Sequence, residues 1–231
     1  INKADLSKSP FKVIGDSKQI YSADSLIIST GAQARWLNLK SEETYKGFGV
    51  SACATCDGFF FKDKEVAVVG GGNAAAEEAI FLTKFASKVK LIHRRNKLRT
   101  EKLLQTKLMS NKKIEIIWDS VVEDIIGQKD PKSVTGIKIK NLKTNSVSEL
   151  KIDGLFIAIG HIPATSIFKG QLSMDKEGYI LTKPDSTATN IPGVYAAGDV
   201  KDKVFRQAIT AAGMGCMSAL EAEKFLSEKS S

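Results

Sequence analysis

Cys53-Ala54-Thr55-Cys56 is the segment of this 231-residue chain whose residue types and spacing are best suited to chemistry. A two-residue gap lets one helical turn bring the sulfurs within bonding distance, so the pair can hold and release two electrons as a disulfide. A zinc site would need two further ligands, and the chain offers only Cys216, His93 and His161, at no finger-like spacing. Two buried, inert thiols are the remaining alternative, and a redox pair fits best. Asp57 adjoins the second cysteine, where a carboxylic acid can move a proton during thiol–disulfide exchange; a helix cap or turn residue is its competing role. Gly58 ends the turn, and Phe59-Phe60-Phe61 supplies bulk for packing. Cys216, within Gly213-Met214-Gly215-Cys216-Met217, lies on an apolar helix face and is expected in the core.

A second constellation follows closely. Gly70-x-Gly72-x-x-Ala75 opens a helix straight after a β-branched run. Gly70 permits the tight turn, Gly72 lets the backbone approach a pyrophosphate, and Ala75 allows close helix–strand packing. The helix start offers unpaired N–H groups and positive dipole to phosphates. An NAD site would place Asp or Glu near the end of the next strand, to bind the ribose 2′-hydroxyl. Here His93-Arg94-Arg95 takes that place, with Arg99 one turn later. A guanidinium fork matches a phosphate, so these residues favour the 2′-phosphate of NADP over a solvated basic helix start. His93 reads as local packing or a weak phosphate contact. Further on, Gly198-Asp199 ends a short apolar run, where an aspartate can bind a ribitol or ribose hydroxyl, and Arg206-Gln207-Ala208 adds donors near the same place.

The elements that must position these groups are legible in the hydrophobic pattern. Ala23–Gly31 reads as a polar entry, an apolar run and a glycine stop, and Ile152–Gly160 echoes it. Continuous apolar runs of this kind suit strands covered on both faces. Between the copies lies a βαβ pattern: strand 65–69, helix 74–85, strand 88–92, helix 99–109 and strand 114–118. Residues 134–140 alternate with period two, as a half-exposed antiparallel strand does, and pair with 147–152 across Thr144-Asn145. Short strands are expected at 179–181 and 194–197, and a closing helix over 207–226. The expected class is α/β with two Rossmann-like nucleotide-binding domains, in three layers with a central parallel sheet plus an antiparallel meander. The boundaries implied by the echo are 1–38, 39–161 and 162–231, with the middle segment inserted into the outer domain.

Hydrophobic residues make up 42% and charged residues 26%, an ordinary balance for a globular domain. The net charge is +8, but the lysines are scattered and aromatics reach only 7%, unlike the clustered basic stripe of a nucleic-acid binder. No apolar stretch approaches the roughly 18 residues of a membrane span. Three cysteines in a long chain do not suggest an extracellular disulfide framework, and a reducing, cytoplasmic setting is expected. No secretory leader is visible, although the chain begins with Ile1, so a leader or a whole domain is free to precede it.

Taken in order, Ser51-Ala52-Cys53-Ala54-Thr55-Cys56-Asp57-Gly58, Gly70-Gly71-Gly72-Asn73, His93-Arg94-Arg95, Ala158-Ile159-Gly160-His161, Ala197-Gly198-Asp199-Val200 and Arg206-Gln207-Ala208-Ile209 resemble the low-molecular-weight, bacterial-type thioredoxin reductases across almost the whole chain. The resemblance implies an enzyme passing electrons from NADPH to bound FAD, to the active-site disulfide, and on to thioredoxin. Cys53 and Cys56 are then the redox pair, with Cys56 facing the flavin and Asp57 as proton donor. Gly70, Gly72, Asn73, Ala74, Arg94, Arg95 and Arg99 fall on the NADPH site; Thr30, Gly31, Asp199, Arg206, Gln207 and Ala208 fall along FAD. It implies a homodimer, and a rotation of one domain against the other at hinges near Leu39 and Ile162. Ala74 stands where family members often carry Thr or Ser. The family's first glycine-rich FAD fingerprint belongs upstream of Ile1, so weak FAD binding by these residues alone is expected. A flavin-free NADPH-binding redox module, or a reductase serving a peroxiredoxin system, are the alternatives; ferredoxin–NADP reductases lack the cysteine pair.

Overall fold

The computed structural model describes residues 1–229. The chain forms two compact units. Ile1–Gln33 and the segment from His161 onward make the outer unit, and Ala34–Gly160 is the inserted one.

The outer unit opens with β1 (Lys3–Asp5), β2 (Phe11–Ile14) and β3 (Ile20–Ala23), an antiparallel sheet in that order. The apolar run of the first echo gives only the short β4 (Leu26–Ile28), followed by β5 (Ala32–Ala34). Contrary to the expectation of cover on both faces, Ile27 of β4 remains 38% exposed while Ile28 is buried.

The inserted unit begins with α1 (Lys40–Tyr45), β6 (Val50–Ser51) and the one-turn α2 (Ala54–Asp57), which runs into a 3-10 turn at Gly58–Phe61. Then come β7 (Glu65–Gly70), α3 (Asn73–Leu82), β8 (Lys88–Ile92), α4 (Lys102–Ser110) and β9 (Ile114–Ile117). β10 (Ser120–Lys129), β11 (Lys132–Asn141) and β12 (Val147–Lys151) follow, and β13 (Gly154–Ala158) closes the unit. The five strands β6-β13-β7-β8-β9 form an all-parallel sheet. β10-β11-β12 form an antiparallel meander, with Lys140 opposite Val147.

Successive residues of a strand point to opposite faces, so each core strand feeds two layers. Val66, Val68, Val89 and Leu91 pack with Ala75, Ala79 and Leu82 of α3 and Leu108 of α4. Ala67, Val69, Ile92, Leu155 and Ile157 pack on the other face against Val122, Ile125, Ile137 and Ile139 of the meander. Helices, parallel sheet and meander are thus the three layers. Each fully buried Leu or Ile in them stabilises by about 1.5–3 kcal/mol over an exposed one.

The chain returns to the outer unit at β14 (His161–Pro163), which pairs with β5. β15 (Val194–Ala196) pairs in parallel with β4, Tyr195 opposite Ile27, and α5 (Ala208–Lys229) ends the described chain. No strand forms at 179–181. Ile180 and Leu181 donate their N–H groups to Val200 and Ser173, and only an isolated bridge between Met174 and Ile180 remains. Among the described residues no helix is long and apolar enough to cross a membrane.

Candidate active site

Cys53 and Cys56 form a disulfide, with Cα atoms 5.3 Å apart. Cys53 is the N-cap of α2, in extended conformation, and Ser51 Oγ accepts its N–H at 3.0 Å. Its sulfur accepts the Cys56 N–H at 3.2 Å and lies 3.4 Å from Thr55 Oγ1. Cys56 and Thr55 are exposed, and Cys53 is half-buried. Asp57 ends α2 next to the pair, and its carboxyl makes no capping hydrogen bond to the 3-10 turn that follows. The packing expected of all three phenylalanines holds for one. Phe61 is buried edge-to-face on Phe156, whereas Phe59 and Phe60 are 65% and 71% exposed. Phe59 meets Phe60 and Phe85 edge-on, so two apolar rings stand out beside the disulfide.

The glycine turn is built from contacts that only glycine tolerates. A Cβ on Gly70 would lie 2.5 Å from both the Ala158 carbonyl oxygen and Ala75 Cβ, and one on Gly71 would lie 2.1 Å from the His93 ring. At Gly72, the N-cap of α3, a Cβ would meet open space. The first two glycines therefore serve packing and the third leaves clearance. The first helical bond of α3 runs from the Ala76 N–H to Gly72, leaving earlier N–H groups at the helix start without an intrahelical acceptor. Ala74, half-buried, offers no hydroxyl there.

Beyond β8, residues 93–101 form a loop clamped to this turn. His93 is buried, with Nδ1 2.9 Å from the Gly70 carbonyl and Nε2 3.0 Å from the Lys97 carbonyl. A neutral imidazole donates through only one of these nitrogens. Arg99 donates its N–H to the Gly71 carbonyl at 2.8 Å. The Glu101 N–H donates to Asn73 Oδ1 at 3.0 Å, and Asn73 Nδ2 donates back to Glu101 Oε1 at 3.1 Å. Arg94, Arg95 and Arg99 all reach solvent. Arg99 precedes α4 instead of starting it: the N-cap is Glu101, whose backbone (φ −59°, ψ 147°) lies outside the helical region.

In the outer unit, Gly31, Asp199, Arg206, Gln207 and Ala208 line one cavity of about 330 Å³ together with Ile27 and Gly198. Thr30 turns its hydroxyl to the Ala164 carbonyl at 2.7 Å. Burial and the neighbouring Asp202 charge push the Asp199 carboxyl above its usual range, against the pull of Arg206. Burial works against the Asp202 carboxylate too, but N–H groups of Phe205, Val204 and Arg206 donate to it and hold its pKa low. This three-way grip fixes Arg206 in the left-handed region, at φ 48°. Burial and the Arg206 charge lower the His161 pKa.

A sequence profile described as pyridine nucleotide-disulphide oxidoreductase matches residues 2–215. A thioredoxin reductase of Rickettsia conorii is 58% identical over 228 residues, covering 99% of this chain and 74% of that protein. One from Coxiella burnetii is 58% identical over 233 residues, covering 98% of this chain and 72% of its own length. Among solved structures, a thioredoxin reductase from Giardia duodenalis superposes with a TM-score of 0.91 at 46% identity, over 98% of this chain and 74% of that one. The chain belongs to the thioredoxin reductase family of pyridine nucleotide-disulphide oxidoreductases. The central parallel sheet and antiparallel strands agree with this membership.

Within this thioredoxin reductase fold the sequence-predicted residues gather in two places. The cysteines, Asp57, the glycine turn and the three arginines belong to the inserted unit; Thr30, Gly31, Asp199 and residues 206–208 belong to the outer one. Cys216 is exposed and free, not core. The sequence reading missed Glu101 and Asp202. Glu101 carries no local signal, since its partner lies 28 residues away. Asp202 has one: an Asp whose oxygens can accept the N–H groups two and three residues on.

Proposed function

We propose that this chain works as an NADPH-dependent thioredoxin-disulfide reductase, cycling Cys53 and Cys56 between disulfide and dithiol. The observation that carries this is the Cys53–Cys56 disulfide, with Cys56 open to solvent, in the unit that also bears open space over Gly72 and solvent-facing arginines. Gly70, Gly72, Asn73 and Ala74 would form the pyrophosphate turn, and Arg94, Arg95 and Arg99 would take the 2′-phosphate. Thr30, Gly31, Asp199, Arg206, Gln207 and Ala208 would lie along FAD, and the cavity that all of these but Thr30 border supports that reading. When bound, the nicotinamide and flavin would supply the electron pair that reduces the disulfide.

The residues of this chain do the thiol chemistry. Two electrons and two protons convert the disulfide to two thiols, with Asp57 holding or delivering a proton at the exposed Cys56 sulfur. Cys53, whose sulfur already accepts the Cys56 N–H, then attacks a substrate disulfide as thiolate. One substrate sulfur leaves and takes a proton, and a mixed disulfide forms on Cys53. Cys56 attacks the Cys53 sulfur, the second substrate thiol leaves, and the intramolecular disulfide returns.

The test is NADPH oxidation with oxidised thioredoxin, comparing the full-length protein with Cys56→Ser. Thioredoxin-dependent turnover should vanish; turnover that survives removes the disulfide from the mechanism.

A further inference from the structure

Asn73 and Glu101 are the side chains through which the glycine turn and the arginine loop hold each other. Asn73 Oδ1 accepts the Glu101 N–H at 3.0 Å, and Asn73 Nδ2 donates to Glu101 Oε1 at 3.1 Å. Asn73 is the first residue of α3, so its main chain stands at the phosphate turn while most of its amide is committed to the loop. Arg94, Arg95 and Arg99 are long side chains on an exposed loop, and such loops are mobile unless anchored. Their guanidinium groups recognise a phosphate only if the loop backbone is held at a fixed distance from the turn that cradles the rest of the nucleotide. The other anchors, Arg99 N–H to Gly71 and the His93 ring between Gly70 and Lys97, are main-chain or buried and come with the fold. The Asn73–Glu101 pair is exposed and reciprocal, made by the Asn73 amide with both the N–H and the carboxylate of Glu101. It needs a donor and an acceptor on one short side chain, which Asn supplies and Asp does not.

We propose that Asn73 and Glu101 are positioning residues for nucleotide selectivity, setting the arginine loop for a 2′-phosphate instead of touching the nucleotide through their side chains. This rests on the NADPH assignment above and changes the role given there to the Asn73 side chain. A direct phosphate contact by the Asn73 amide would serve NADPH and NADH alike, since both carry the pyrophosphate. A positioning role serves NADPH alone.

The experiment measures Kd and KM for NADPH and NADH in the full-length flavoprotein, for wild type, Asn73→Ala, Asn73→Asp, Glu101→Gln and Arg94→Ala/Arg95→Ala, with melting temperatures as a control for folding. Asn73→Ala and Asn73→Asp should weaken NADPH binding by about tenfold, the equivalent of one or two hydrogen bonds, and leave NADH within about twofold. Glu101→Gln retains both bonds and should keep the wild-type NADPH:NADH ratio. Equal losses for both nucleotides in the Asn73 variants, or no loss, overturn the proposal while the arginine assignment stands. A wild-type ratio in the double arginine variant overturns the NADPH assignment, and the proposal with it.

Discussion

The Cys53 sulfur caps the one-turn helix that carries Cys56, accepting the Cys56 N–H at 3.2 Å. Thr55 Oγ1, at 3.4 Å, adds a second polar neighbour to the same sulfur. A thiolate gains from accepted hydrogen bonds, so the two thiols of the reduced protein differ. Cys53 should therefore be the more reactive thiol of the reduced protein, and Cys56, although more exposed, the slower to react. Alkylation of the reduced protein across a pH series, read site by site by mass spectrometry, checks this order. Coincident profiles would remove the chemical distinction between attacking and resolving sulfur.

Phe59 and Phe60 expose apolar rings beside the disulfide, and exposed apolar clusters mark interaction surfaces. Phe59→Ala with Phe60→Ala should raise KM for thioredoxin by about tenfold, as loss of an interface anchor does. Reduction of a small disulfide such as 5,5′-dithiobis(2-nitrobenzoate), which needs no docking, should be unchanged. Steady-state kinetics with both acceptors gives the comparison.

The Asp199 carboxylate is held at unfavourable cost in the folded protein. Burial and the Asp202 charge raise its pKa above the ordinary 3.8, so the folded state holds its proton more tightly than the unfolded state. Its ionised form therefore destabilises the protein above that range, and the penalty fades as pH falls through the raised value. Asp199→Asn should melt higher than wild type at pH 7 when no flavin is bound. The gap should narrow on acidification. Melting curves of the flavin-free protein from pH 7 to pH 4 decide it; a gap that widens with acid contradicts the sign.

Thr100, only 6% exposed between Arg99 and Glu101, buries a hydroxyl with no hydrogen-bond partner among the described residues. An unsatisfied buried hydroxyl costs about 1–3 kcal/mol, and Thr→Val keeps its shape. Thr100→Val should stabilise the protein by about 1 kcal/mol, measurable by denaturant unfolding. A loss of stability would show that the hydroxyl is satisfied in the folded protein and would overturn the prediction.

How far the sequence spoke depended on whether the deciding contacts were local. β8 runs over Lys88–Ile92 as its pattern predicts, because its β-branched and apolar residues Val89, Leu91 and Ile92 are all buried in the sheet. The disulfide pair and the glycine turn are equally local, and both stand where their spacing puts them. β10 was invisible, since bulges at Val122/Asp124 and Ile126/Gly127 break the alternation that would have revealed it. The helix read from Arg99 begins instead at Lys102, because the loop through Glu101 is held to the glycine turn by long-range bonds, with Glu101 at ψ 147° as a non-helical cap, and no local signal reports them. Cys216 lies on an apolar face, yet Ile209 and Leu220 on the same helix are 84% and 61% exposed. Periodicity reports which face is apolar, not what covers it.

The Arg35 N–H donates to the Gly160 carbonyl at 2.9 Å, so the inserted unit starts and finishes at a single spot. A module whose two ends meet is a cassette: it can be cut from its host gene or spliced into another exposed loop without a bridging linker. Evolution can therefore exchange the cysteine-and-nucleotide cartridge independently of the scaffold that houses it.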